Sequence, residues 1–159
     1  MTGTLVTTAA FLIATLGTAA VADAIPPRDG WAVHPTRKPH AQLIEDVKTA
    51  ARAEGLGVVT EAGPTAAAAA RGITIPGNRV IGVFNNDYAV QILGLSTAAM
   101  IEAPLRIYVT ENPDGTATLS YKLPSSVFAP YSDEGGAALA ELATRLDRHF
   151  ASIAAQSSR

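Results

Sequence analysis

The stretch NRVIGVFNNDYAVQILGLSTAAMIEAPLRIYVTENPDGTATLSY, residues 78–121, decides the fold. Val80 to Phe84 is an apolar run without polar alternation, the pattern of a central strand covered at least in part on both faces. Gly82 inside it permits close packing. An Asn85-Asn86-Asp87 corner follows, then a short helix from Asp87 to Leu93 that Gly94 interrupts, and Pro104 opens the next strand. A hairpin closes the stretch at Asn112-Pro113-Asp114-Gly115. Pro113 presets φ for the first turn position, Asp114 suits the second, and Gly115 supplies positive φ without a Cβ clash. A three-residue loop with a glycine bulge pairs Asn112 with Thr116, which sets Val109 opposite Leu119, Ile107 opposite Tyr121 and Leu105 opposite Leu123. A slip of one residue would split that apolar face between core and solvent.

Outward from this frame, Trp31 to His34 reads as a first strand ended by Pro35, and Pro39 suits the first turn of a helix over His40 to Glu54. Its apolar stripe is Leu43, Val47 and Ala50 or Ala51, and Gly55 is the stop. Leu56 to Thr60 follows as a strand, and Thr65 to Arg71 as a short alanine-rich helix ended by Gly72. Pro124 to Tyr131 is turn-like. Asp133 to Ile153 forms the closing helix, with Leu139, Leu142, Leu146, Phe150 and Ile153 on one stripe. These elements predict an α+β two-layer sandwich. Helices pack on one mixed or antiparallel sheet of about five strands, with a C-terminal hairpin and a closing helix.

At 159 residues the chain suits one domain that buries roughly two-thirds of its unfolded surface. A formal charge of -2 gives no basic excess for holding phosphates, which argues against nucleic acid as a partner. The absence of cysteine removes disulfides, thiol nucleophiles, thiolate metal sites and iron–sulfur clusters. The apolar run Ala9 to Ala20, with small residues at Ala20 and Ala22, fits a cleaved signal peptide, although no Lys or Arg precedes it. Cleavage after Ala22 is the first choice and after Ala24 the second. The run is short for a membrane span, which needs about 20 residues. The expected organisation is a leader over 1–22, a linker over 23–30, one domain over 31–155 and a fraying polar tail over 156–159, in a periplasmic or secreted protein.

Four segments, taken in order, carry a likeness. They are Glu54-Gly55-Leu56-Gly57-Val58, Val80 to Asn86, Pro104-Leu105-Arg106-Ile107-Tyr108-Val109, and Asp114-Gly115 with Ser120-Tyr121. Together they resemble the bacterial family called domain of unknown function 302, over about Trp31 to Ala155. The resemblance implies a small α+β sandwich and no established activity. Two departures stand out. The family's strand-to-helix corner is Asn-Pro where this chain has Asn86-Asp87. Relatives that carry a cysteine have it at positions occupied here by Asn85 and Leu105, so no thiol or soft-metal role carries over.

The candidate chemistry is sparse. His34, His40 and His149 lie on three different elements and never pair at the spacing of two ligands on one helix face, so neither a metal site nor a cofactor is expected. His149 sits near the end of the last helix, where the dipole favours a cation. Asn85, Asn86 and Asp87 stand at the end of a central strand, where a helix start binds anions or is simply capped; the Asp favours the cap, assigned to Asn86. Ser96, Ser120, Ser125 and Ser126 lack a nucleophile elbow, and Glu102, Glu111, Asp133 and Glu134 read as surface charges. On the outer hairpin face Arg106 faces Lys122 and Tyr108 faces Ser120, a cationic and aromatic patch for a small anionic ligand or an acidic protein surface. The candidate ligand-binding residues are thus Asn85, Asn86, Arg106, Tyr108 and Lys122. Two function classes remain: a non-catalytic accessory module that binds a small ligand or a protein, and a small hydrolase or isomerase whose acidic and Asn residues converge in a cleft. A homodimer is left open.

Overall fold

The computed structural model describes residues 25–159; the expected leader over 1–22 and the start of the linker lie outside the described residues. Five strands form one antiparallel sheet in the order β1-β5-β4-β3-β2: β1 Trp31–Pro39, β2 Gly57–Ala62, β3 Asn78–Phe84, β4 Leu105–Glu111 and β5 Thr116–Lys122. The helices are α1 His40–Ala53, α2 Thr65–Ala69, α3 Asn86–Leu95, α4 Pro124–Phe128 and α5 Ser132–Ser157, with 3-10 turns at Ala98–Glu102 and Ala129–Tyr131. Among the described residues no helix is long and apolar enough to cross a membrane.

The hairpin register follows from its turn. Asn112 N–H donates to the Thr116 carbonyl at 2.7 Å and Gly115 takes φ 81°, so Ile107 meets Tyr121, Tyr108 meets Ser120 and Val109 meets Leu119. The paired rungs run from Ile107–Tyr121 to Glu111–Ala117, short of both the expected Arg106–Lys122 and Leu105–Leu123 pairs. Inward residues of β3, β4 and β5, among them Ile81, Ile107, Val109 and Leu119, share one core with Leu43 and Val47 of α1 and Phe150 and Ile153 of α5. A second core joins Ile92, Phe128, Leu139, Leu142 and Leu146 between α3, α4 and the first half of α5. Leu105 packs against both cores. The other face of the sheet carries Trp31, Val80, Arg106, Tyr108 and Lys122, none of which joins either core.

Several boundaries differ from the sequence reading for identifiable reasons. β1 does not end at His34; it runs past Pro35 to Pro39. A proline is tolerated there because β1 is an edge strand, and its ladder breaks between Pro35 and Pro39, where the Thr36 hydroxyl donates to the Ala117 carbonyl instead. Pro39 is the N-cap of α1 rather than a residue of its first turn. β2 lies later than expected, at Gly57–Ala62, and α3 continues through Gly94 to Leu95 because Ile92 and Leu95 pack on the second core. The turn-like 124–131 region is α4 with a 3-10 turn, and Asp147 of α5 accepts from the Ser125 N–H at 2.9 Å. α5 is longer than the expected 133–153 and kinks at Gly136, where φ is 55°. At Gly82 a Cβ would stand 3.0 Å from Pro104 Cγ and inside the Thr60 hydroxyl, which is why this central strand carries glycine.

Candidate functional site

β1 and β4 begin, and β5 ends, at the same end of the sheet. There a groove of about 300 Å³ is lined from β1, β3, β4 and β5 together with Val127 of α4 and Glu102 of the 3-10 turn. Arg106, Tyr108 and Lys122 all line it, joined by Trp31 and Glu102. Trp31 arrives because β1 pairs with β5 and sets it opposite Lys122. The Arg28 guanidinium lies 5.1 Å and the Lys122 ammonium 6.0 Å from the Trp31 ring, so the indole face gathers two cations. Glu102, the one acid in the lining, accepts a hydrogen bond from the Tyr131 hydroxyl at 2.8 Å, which raises the Tyr131 pKa. Burial, helped by the Asp147 charge, pushes the Tyr121 phenol up to about 12, so it lines the groove as a neutral donor. Ser120, the cross-strand partner of Tyr108, is fully buried and its hydroxyl has no hydrogen-bond partner among the described residues.

The two asparagines do not join this groove. Asn85 is extended (φ -139°, ψ 127°), and its Oδ1 accepts from the Tyr88 N–H at 3.0 Å, the geometry of an N-cap. Its amide nitrogen donates to the Gly55 carbonyl at 2.9 Å and ties the start of α3 to the end of α1. The cap is therefore Asn85 and not Asn86, which is the exposed first residue of α3. Replacing Asn85 with Ala is expected to lower stability by about 1 kcal/mol or somewhat more, whereas Asn86→Ala should stay within about 0.5 kcal/mol of the parent. Urea unfolding of the two variants decides between the positions; equal losses would place the cap wrongly.

Asn85 and Tyr88 instead border a second, much smaller cavity of about 30 Å³, walled by Leu56, Phe84, Phe128 and Phe150 and bounded on the groove side by Leu105. Beside it three elements meet in a polar line that sequence spacing does not reveal. His149 Nδ1 lies 2.9 Å from Glu54 Oε2, and Nε2 lies 3.0 Å from the Tyr88 hydroxyl. A carboxylate only accepts, so Nδ1 carries a proton and donates to Glu54, while Nε2 and the Tyr88 hydroxyl share the second hydrogen bond. Glu54 also accepts from the Ser152 hydroxyl at 2.6 Å and from Gln156 at 2.8 Å, and Ser152 first, His149 next, hold its pKa below the usual value.

The remaining candidates are structural ties. His40 Nε2 is 3.3 Å from the Val109 carbonyl, and His34 stacks on Tyr121 with its pKa lowered by burial. Glu111 accepts from the Gly77 N–H at 2.6 Å and Glu134 from the Ser96 hydroxyl at 2.6 Å, so these two are not free surface charges. Among the described residues no three His, Asp or Glu side chains come together as metal ligands would. Trp31, Val80, Glu102, Leu105, Tyr121 and Val127 are the groove residues that sequence reasoning missed.

The crystal structure of an uncharacterized conserved DUF302 protein from Bacillus stearothermophilus superposes with a TM-score of 0.72 at 18% sequence identity, over 83% of this chain and 100% of that one. At that identity the likeness concerns the fold alone. No curated protein matches the sequence. The family described as "Domain of unknown function DUF302" matches residues 32–153, which takes in β2 to β5, β1 from Ala32 and most of α5, and the chain belongs to that family.

Proposed function

We propose that this is a non-catalytic binding module whose groove holds a small amphipathic anion, outside the cytoplasm if the leader read at 1–22 is removed. One observation carries the reading: Arg106 and Lys122 line a single groove of ligand size whose walls are otherwise largely aromatic and aliphatic. Two cations lining one groove repel each other across it, and an anion between them offsets that repulsion. Trp31 and Tyr108 supply flat apolar surface for the rest of the ligand. The hydrolase or isomerase alternative needs acidic and Asn side chains converging in one cleft, yet Glu102 is the one acid lining the groove and Asn85 borders the separate cavity, so binding is the better-supported function.

The test uses 8-anilinonaphthalene-1-sulfonate and sodium octanoate as probes. The doubly substituted Arg106→Gln, Lys122→Gln protein should bind both about ten- to a hundredfold more weakly, the loss of one to two charge-assisted contacts. The parent's affinity should fall with added salt while the variant's stays flat, and the variant should fold with equal or slightly higher stability. Equal affinity of parent and variant at every ionic strength ends the proposal.

A further inference from the structure

We infer that Leu105 sets how long an apolar tail the groove accepts, an inference that rests on the anion-binding reading above. Leu105 is the first residue of β4, half-buried, and its side chain lines both the groove of about 300 Å³ and the inner cavity of about 30 Å³. Its neighbours divide in the same way. Glu102 and Val127 face the groove, whereas Ala103 and Phe128 face the cavity. The two spaces therefore lie back to back across a partition one side chain thick, and Leu105 is the residue common to both.

The chemistry on the two sides is graded. The groove carries Arg106 and Lys122 with Trp31, Tyr108 and Glu102, and beyond Leu105 the walls are aliphatic and phenyl groups with Asn85 and Tyr88 at the border. The inner cavity holds about one water-sized group by itself, too little for a ligand but enough to extend a tail that reaches it. An alkanoate fits this gradient: the carboxylate meets Arg106 and Lys122, and the chain runs inward until it meets Leu105. Leu105 is thus a specificity-determining residue for chain length.

Calorimetric titration of n-alkanoates from hexanoate to dodecanoate, kept below their micelle concentrations, reads this directly. In the parent, affinity should rise by about fourfold for each added methylene and then level off where the tail meets the partition. Leu105→Ala should move the levelling point to longer chains. Leu105→Met keeps the volume and should keep the parent profile, and Leu105→Phe should level off earlier. The Met and Phe pair decides the matter if the Ala variant does not fold. A levelling point that stays put in the folded variants overturns the role of Leu105 and leaves the groove reading standing. Failure of the parent to bind any alkanoate overturns both.

Discussion

Replacing Phe150 with alanine is expected to cost about 3–5 kcal/mol of folding stability, the largest effect of any single truncation proposed for this protein. Phe150 is 1% exposed and belongs to the main core. Its ring meets that of Tyr121 edge to face, 5.2 Å between centroids at 61°, so the substitution removes an aromatic pair as well as buried area. It also lines the inner cavity, which would grow by the missing ring, and the surrounding strands and helices are too interlocked to collapse into the space. For a chain of this length each kcal/mol shifts the melting temperature by about 2–4 °C. Urea unfolding should show a lower midpoint with an unchanged slope. A loss below about 1 kcal/mol would mean that α5 is not seated on the sheet as described.

The second large effect is at Glu54. Its carboxylate is the shared acceptor for His149, Ser152 and Gln156, all on α5, so Glu54→Ala strands those donors and loosens the join between the end of α1 and the closing helix. A cost of about 1–3 kcal/mol is expected at pH 7. The effect depends on pH with a definite sign. Because the folded pKa of Glu54 lies below its ordinary 4.5, its contribution is complete above that value and disappears as pH falls through the lower folded one. His34 acts from a higher pH: burial lowers its pKa from 6.5, so the unfolded chain takes up a proton first and stability declines as pH drops below 6.5. In both cases the unfolded state binds more protons, and stability rises with pH. Urea midpoints at pH 3.5 to 8 should show the parent and Glu54→Ala converging at the acid end. Parallel curves down to pH 3.5 would show that Glu54 is not the charged acceptor described.

What the sequence discloses is what local geometry controls. The Pro113-Asp114-Gly115 turn fixes a register, the register fixes which face of the hairpin Ile107, Val109 and Leu119 occupy, and that face is the core face. The same turn, by strand alternation alone, brings Arg106, Tyr108 and Lys122 to the opposite side. Trp31 is not legible that way, because its place opposite Lys122 depends on β1 crossing to pair with a strand late in the chain. Glu54, Tyr88 and His149 escape for the same reason, since they meet only when three helices are packed. Residue type does not separate Asn85 from Asn86 as the cap, which is why the expectation falls one position late. What selects Asn85 is a contact with Gly55, thirty positions earlier in the chain.

The two borders of the sheet differ in what they permit between molecules. β1 presents Pro35 and Pro39, each without an N–H to donate, with the exposed Arg37 between them, which resists a neighbour. β2, at the opposite border, is mostly exposed, carries Val59 at 54% exposure and contains no proline or lysine. Endless strand-by-strand stacking requires an open border at each side of every molecule. β2 is itself interrupted by a bulge between Val58 and Thr60 and carries Glu61, so among the described residues neither border offers a long regular edge to a neighbouring strand.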